Sequence, residues 1–166
     1  RVVIRYEEQE MPKSLKTYVD LDHATDRGTR KLVIGMAQML GNHTIKNSSS
    51  TQTAIGLNVS ECEFYALVRG GAHGLGVQSY MRDLGLEVQV IVLSDSNSAK
   101  GFASRKGQGK QRHVQTRYLW VQDRVADGSI CVKRVPGTEN PSDILTKVTN
   151  GILLWKHMEK LGFHVR

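Results

Sequence analysis

The sequence lacks any apolar run near the roughly 20 residues that a membrane-spanning helix needs. It has only 3 prolines among 166 residues, and hydrophobic residues make up 39% of it. This composition is typical of a folded domain rather than a disordered chain. Because the first residues become charged before an apolar segment develops, no secretory signal is predicted. We therefore expect a single folded domain in an intracellular compartment, with no membrane partner.

Cysteine is also scarce. The chain has two, Cys62 and Cys131, and they are far apart in the sequence and match no metal-binding spacing. Reduced thiols in the core are the expected state, which fits an intracellular protein.

Acidic residues are absent from a long basic segment. Residues 96–122 contain no Asp or Glu, while the whole chain carries a formal net charge of +7 and an isoelectric point near 9.6. Such a segment favours a polyanionic partner, although any single cation in it could equally belong to a solvated face. The six cations of this basic segment are Lys100, Arg105, Lys106, Lys110, Arg112 and Arg117.

The apolar spacing in the first half predicts three strands and a long helix. The strands are expected over 15–21, 32–40 and 43–46, with Gly41-Asn42 as a tight turn between the last two. The helix is expected to begin at Ser60, followed by Glu63 three residues later, and to end near Gly85. Its glycines at 70, 71, 74 and 76 each lower helix stability by about 1 kcal/mol, which tertiary packing must offset.

The second half predicts a buried strand over 88–93, a helix over 112–126 and a strand over 130–135. A helical turn at 143–145 and an amphipathic helix over 154–161 follow. This order of elements predicts an α/β fold with a five-stranded mixed sheet, in which three antiparallel strands are extended by two parallel strands and flanked by helices.

Four acidic residues lie at strand ends and helix starts, where α/β folds gather their chemistry. They are Asp20, Glu63, Asp95 and Asp143. Four converging carboxylates would repel one another, so a shared site needs cations. Mg²⁺ suits it, since this ion binds a few carboxylate oxygens together with water and phosphate. Spacing alone does not separate these four from the other acids among the 16 in the chain.

The residues around each acid make that separation, because they resemble the four motifs of the ribonuclease H domain of copia-type LTR retrotransposon polyproteins. The resemblance covers roughly 14–147, and the motifs occur in the family's order. They are Tyr18-Val19-Asp20-Leu21-Asp22, Ser60-Glu61-Cys62-Glu63-Phe64-Tyr65-Ala66-Leu67, Ser94-Asp95-Ser96-Asn97-Ser98-Ala99 and Asn140-Pro141-Ser142-Asp143-Ile144-Leu145-Thr146-Lys147.

The resemblance implies a ribonuclease H-like fold that hydrolyses the RNA strand of RNA/DNA hybrids during reverse transcription. It implies that Asp20, Glu63, Asp95 and Asp143 are catalytic and hold two Mg²⁺ ions, with Mn²⁺ as a substitute and no small-molecule cofactor. A catalytically silent hybrid-binding domain of a larger reverse transcriptase is the alternative. The neighbouring acids Asp22, Asp26, Glu61 and Glu139 match no catalytic role and are expected to be solvated or to cap helices.

A hybrid substrate needs short polar donors near the metal ions and cations along its backbone. The expected donors are Ser96, Asn97 and Asn140, and the expected cations are those of the basic segment. His113 could contact a phosphate or cap its helix. Tyr118, Trp120 and Trp155 are expected in the core or at an interface rather than as base-stacking platforms.

The resemblance also predicts the organisation of the chain. Residues 1–13 are expected to be the tail of a preceding polymerase connection, 14–148 the ribonuclease H domain, and 149–166 a C-terminal amphipathic helix or tail. The expected partners are an RNA/DNA hybrid and the reverse transcriptase domain of the same polyprotein. The expected location is a cytoplasmic retrotransposon particle, with the nucleus as a second compartment.

Overall fold

The structure, a computed structural model, describes residues 1–22, 32–52, 58–109, 112 and 114–166. Its main sheet has five strands in the order β4-β3-β2-β5-β6, and a separate pair joins β1 to β7. The strands are β1 (Val2–Ile4), β2 (Ser14–Asp22), β3 (Val33–Leu40), β4 (His43–Thr51), β5 (Gln89–Ser94), β6 (Ile130–Arg134) and β7 (Phe163–Val165). The helices are α1 (Val59–Asp83), α2 (Asn97–Ala103), α3 (Trp120–Ala126) and α4 (Gly151–Lys160). Short 3₁₀ turns span Thr116–Tyr118, Gly137–Glu139 and Pro141–Leu145.

The strand pairing confirms the predicted mixed sheet. Strands β2, β3 and β4 pair in antiparallel fashion, while β5 pairs in parallel with β2 on one side and β6 on the other. Neighbouring parallel strands need a long crossover connection, and α1 is part of the one that leads from the antiparallel strands β2–β4 to β5. The carboxyl ends of β2 and β5 therefore lie side by side.

Helix α1 packs on the sheet through its glycines. A Cβ atom at Gly70 would lie 2.5 Å from Val19 Cγ1, and one at Gly74 would lie 2.6 Å from Val90 Cγ1. These distances are too short for a side chain, so the glycines allow the helix to approach β2 and β5 closely. The close packing at these two positions offsets the helix stability that the glycines cost. At Gly76, a Cβ atom would have no neighbour within 4 Å among the described residues, so this glycine makes no such contact.

Several boundaries differ from the sequence prediction. Strand β4 runs to Thr51, beyond the predicted end at residue 46. Helix α1 is capped by Asn58, whose side chain accepts a hydrogen bond from the Glu61 amide, and not by Ser60. The predicted helix over 112–126 is wrong in length, because only Trp120–Ala126 is α-helical and a 3₁₀ turn precedes it. A 3₁₀ turn followed by a short helix buries Val114 and Val121, so the apolar spacing did not require one continuous helix.

The two ends of the described chain meet. Val2–Ile4 pairs in antiparallel fashion with Phe163–Val165, and the Arg5 amide donates to the Gly162 carbonyl at 2.9 Å. Residues on both sides of the main domain thus share one small sheet. Cys62 is buried and Cys131 is partly buried, and the two are not joined in a disulfide. Within the described ranges, no helix is long and apolar enough to cross a membrane.

Candidate active site

Two of the predicted acids follow a register pair of two parallel strands. Tyr18 of β2 is the register partner of Leu93 of β5. Two residues further along the chain lie Asp20, still on β2, and Asp95, one residue past the end of β5. The Asp20 side chain is only 3% exposed. Burial raises the pKa of Asp20, while a hydrogen bond from Thr146 and the charge of Lys147 lower it less strongly.

Glu63 enters the site from α1, one residue past the first turn of the helix. Its Oε2 atom is buried and has no hydrogen-bond partner among the described residues. Burial, followed by the charges of Asp95 and Asp20, raises the pKa of Glu63 from 4.5 to about 8. A buried carboxylate oxygen next to two other carboxylates is the arrangement that a bound cation would stabilise.

Asp143 reaches the same place on the 3₁₀ turn Pro141–Leu145. Asn140 holds this turn against β2, because its Nδ2 donates to the Val19 carbonyl at 2.9 Å and its Oδ1 accepts from the Ser142 hydroxyl at 2.6 Å. The close approach needs Gly35 on β3, where a Cβ would lie 2.6 Å from the Ser142 carbonyl oxygen. Gly35 is also the register partner of Asp20. The turn carrying Asp143 is thereby docked beside Asp20.

Thr146 and Lys147 join the site, although the sequence reasoning gave them no role. The Thr146 hydroxyl donates to Asp20 Oδ2, and Lys147 Nζ lies 3.3 Å from Asp20 Oδ2 and 2.5 Å from Asp143 Oδ1. Burial would lower the pKa of Lys147, but its bond to Asp143 and the charges of Asp20 and Asp143 raise it overall. Both residues close the fourth motif, which was the only signal for them in the sequence.

The four acids thus supply a set of carboxylate oxygens at one end of the sheet. Such oxygens are the ligands that Mg²⁺ prefers. Glu63 Oε2, which is buried and has no hydrogen-bond partner among the described residues, is therefore suited to bind a cation here. Among the described residues, no three His, Cys, Asp or Glu side chains already stand in an arrangement that could hold a metal ion. The ammonium of Lys147 contacts two of the four acids instead.

The predicted nucleic-acid contacts are spread over α2 and the basic segment. Ser96 caps α2 by accepting from the Ala99 amide, and Asn97 and Lys100 are exposed on that helix. Exposed cations also occur at Arg105, Lys106, Arg112 and Arg117. Arg105 lies over the Phe102 ring and Arg117 over the Tyr118 ring. Lys110 and His113 lie outside the described residues.

Other residues differ from their expected setting. Asn140, predicted to contact the substrate, is 1% exposed and its amide is bonded within the protein. Glu61 was expected to be solvated or to cap a helix, yet it is 2% exposed and accepts from the Tyr65 hydroxyl at 2.5 Å. Asp22 is likewise buried. Glu139 agrees with its expected solvated setting, because its side chain is 44% exposed and pairs with Lys156. Asp26 lies outside the described residues. Trp155 is 46% exposed, so the core is wrong as its setting and an interface stays a prediction.

Comparison with known proteins connects this geometry to a family. No family model matches the chain. The chain is 31% identical over 154 residues to the Retrovirus-related Pol polyprotein from transposon TNT 1-94 of Nicotiana tabacum. That match covers 90% of the chain but only 11% of the polyprotein, so the chain corresponds to a small part of its relative.

Two solved structures share the fold. LC11-RNase H1, solved in complex with an RNA/DNA hybrid, has a TM-score of 0.58 at 18% identity, over 80% of this chain and 94% of that one. The N-terminal RNase H domain of rv2228c from Mycobacterium tuberculosis, solved as a fusion with maltose binding protein, has a TM-score of 0.59 at 15% identity. The match covers 88% of this chain and 96% of that one.

The Pol relative and the shared fold together confirm the resemblance stated from the sequence. The chain has a ribonuclease H-like fold and is related to a segment of a retrovirus-related Pol polyprotein from a transposon.

Proposed function

We propose that this domain is a ribonuclease H that hydrolyses the RNA strand of RNA/DNA hybrids during reverse transcription of a retrotransposon. One observation carries the proposal. Asp20 on β2, Glu63 on α1, Asp95 in the bend after β5 and Asp143 on the 3₁₀ turn Pro141–Leu145 meet at one end of the central strands of a ribonuclease H-like fold. Phosphodiester hydrolysis is the chemistry that such a set of carboxylates serves when it holds hard cations.

The four carboxylates are the proposed ligands of two Mg²⁺ ions, for which Mn²⁺ could substitute. Asp20 on β2 and Asp95 just past the end of β5 would hold the two ions together with Glu63 and Asp143. When bound, the ions would supply activation of the attacking water and stabilisation of the departing oxygen. Burial and, after it, the charges of Asp95 and Asp20 raise the pKa of Glu63, which supports this assignment because divalent cations relieve the repulsion between the acids.

The protein's own residues then determine where the hybrid lies. Ser96 and Asn97 sit just beyond Asp95, close enough along the chain to offer hydroxyl and amide groups to the strand being cut. The exposed cations of the basic segment would follow the phosphate backbones, so hybrid affinity should fall steeply with salt. The proposed protein partner is the reverse transcriptase domain of the same polyprotein, which the Pol relative supports.

The test compares cleavage of labelled RNA/DNA hybrid, duplex RNA and duplex DNA, each with and without Mg²⁺. The expected result is Mg²⁺-dependent cleavage of the hybrid alone. Asp20→Asn should lose cleavage and keep hybrid binding, because it removes a ligand charge from the site but no phosphate-binding cation. Asp83→Asn is the control. Asp83 is also acidic and lies at the far end of α1, some 30 Å from Glu63 along the helix axis.

Undiminished cleavage by Asp20→Asn would reject the assigned site. A second function, a catalytically silent hybrid-binding domain, is favoured by the contacts of Lys147 with two of the acids. It predicts salt-sensitive hybrid binding by the wild-type chain at every Mg²⁺ concentration, without cleavage of any substrate.

A further inference from the structure

Lys147 places a positive charge inside the acidic site. Its Nζ lies 2.5 Å from Asp143 Oδ1 and 3.3 Å from Asp20 Oδ2. These two acids are well shielded from water, with side chains 16% and 3% exposed, whereas the Lys147 side chain is 38% exposed. The lysine therefore extends from the protein surface into the gap between two inner carboxylates.

The local backbone builds this contact. The Lys147 amide donates to the Asp143 carbonyl at 3.0 Å. This bond holds the backbone of Lys147 close to the turn Pro141–Leu145. The hydroxyl of the preceding residue, Thr146, donates to Asp20 Oδ2, and its oxygen lies 3.0 Å from the Asp143 carbonyl oxygen. Two consecutive residues thus connect the acid of β2 to the acid of the turn, one by a hydroxyl group and one by an ammonium group.

Lys147 contacts Asp20 and Asp143, two of the four carboxylates that the proposed function assigns to divalent cations. A Mg²⁺ ion binds carboxylate oxygens at about 2.0 to 2.1 Å, so an ion on Asp143 would lie close to the ammonium, which is 2.5 Å from Asp143 Oδ1. Like charges so close repel each other, and the two cations therefore compete for the same carboxylates. The lysine has a flexible stem of four carbons and is exposed enough to swing outward.

We propose that Lys147 is an internal counter-ion that competes with the divalent cation for Asp20 and Asp143. In the metal-free domain it neutralises the two acids and keeps the turn docked on β2. Metal binding displaces its ammonium towards solvent, so the lysine weakens metal affinity and sets the Mg²⁺ concentration at which the site fills. The inference rests on the proposed function, because it takes these acids to be metal ligands.

The alternative is an ordinary ion pair with no bearing on metal binding. Exposed pairs contribute little to stability and their removal is hardly felt. Lys156 provides the comparison within this chain, since it forms an ion pair with Glu139 on the surface and contacts none of the four acids. Its side chain is 48% exposed, close to the value for Lys147.

The test measures Mg²⁺ binding by isothermal titration calorimetry, without nucleic acid, for the wild-type chain, Lys147→Met, Lys147→Arg and Lys156→Met. We expect Lys147→Met to bind Mg²⁺ at least about tenfold more tightly than the wild type, which equals about 1.4 kcal/mol. Its melting temperature should be lower without metal and should recover at saturating Mg²⁺. Lys147→Arg, which keeps the charge, and Lys156→Met should stay near the wild-type affinity.

A second measurement needs no substitution in the protein being tested. In wild-type chain labelled with ¹³C at the lysine ε carbon, the Lys147 resonance, identified by its absence in Lys147→Arg, should shift as Mg²⁺ is added. This readout remains decisive if Lys147→Met fails to fold.

Equal Mg²⁺ affinity for Lys147→Met and the wild type would overturn the inference, as would a Lys147 resonance that does not move while Mg²⁺ binds. If the wild type still cuts hybrid in that case, the proposed function stands and only the role of Lys147 fails. If neither chain binds Mg²⁺ and no hybrid is cut, both proposals fail.

Discussion

Helix α1 meets the rest of the protein differently near its N-terminal end and in its middle turns. Near the N-terminal end, Glu63 lies beside two other acids, and its buried Oε2 atom has no hydrogen-bond partner among the described residues. In the middle turns, Gly70 and Gly74 allow close contact with Val19 and Val90. The acids at the N-terminal end repel one another, which a bound cation would relieve, and the middle turns supply the packing that holds this end in place. Substitutions in the two parts should therefore have separable effects.

The largest expected effect is a loss of hybrid cleavage when Glu63, near the N-terminal end of α1, is replaced. Glu63→Gln keeps the shape of the side chain but removes the charge of a proposed metal ligand, so hybrid cleavage should fall by about a hundredfold or more. A gel assay under single-turnover conditions measures this. The circular dichroism spectrum should match that of the wild type. Cleavage within a few-fold of the wild-type rate would remove Glu63 from the site.

In the middle turns, the same substitution two residues apart should have opposite effects on stability. Gly74→Ala places a methyl group 2.6 Å from Val90 Cγ1, and such overpacking should lower the free energy of unfolding by about 1 to 3 kcal/mol. In Gly76→Ala the added methyl group has no neighbour within 4 Å among the described residues. This substitution should raise the free energy of unfolding by about 1 kcal/mol, because alanine has the higher helix propensity. Urea denaturation measures both. If the two variants shift the free energy of unfolding in the same direction, the close approach to Val90 does not explain the glycine at position 74.

The raised pKa of Glu63 should appear in the pH dependence of stability. The pKa of Glu63 rises from 4.5 in the unfolded chain to about 8 in the fold. The folded state therefore binds the proton more tightly, and this contribution to stability is fully present below pH 4.5 and is lost as pH rises through about 8. The melting temperature of protein treated with EDTA should fall over that window. Glu63→Gln should flatten the fall, and an unchanged pH profile in that variant would contradict the assigned pKa.

The sequence could predict much of the fold because its signals are local. Alternating and continuous apolar runs predicted β2, β3 and β5 to within a residue or two, and the parallel addition followed from the long crossover through α1. The helix over 112–126 was wrong because spacing of apolar residues does not distinguish a continuous helix from a 3₁₀ turn followed by a short one. The pairing of β1 with β7 joins segments about 160 residues apart, and no local pattern predicts such contacts.

The candidate site was predictable only as far as the motifs reach. Motif context selected four acids, and the structure brings them to one end of the sheet. The burial of Asn140 and the insertion of Lys147 were not predictable, because each depends on how the turn Pro141–Leu145 docks on β2. In the sequence, Lys147 looks the same as any other lysine beside an acid.

The docking of that turn has a consequence for how the domain can change over time. The spacing between Asp20 and Asp143 depends on the bond from the Asn140 side chain to the Val19 carbonyl, on the Ser142 carbonyl and on the space left by Gly35. Surface substitutions away from Gly35, Asn140 and the β2–β3 ladder leave these features in place. The domain can therefore accumulate many surface changes and keep the spacing of these two acids, while a single side chain at position 35 would push the turn away from β2.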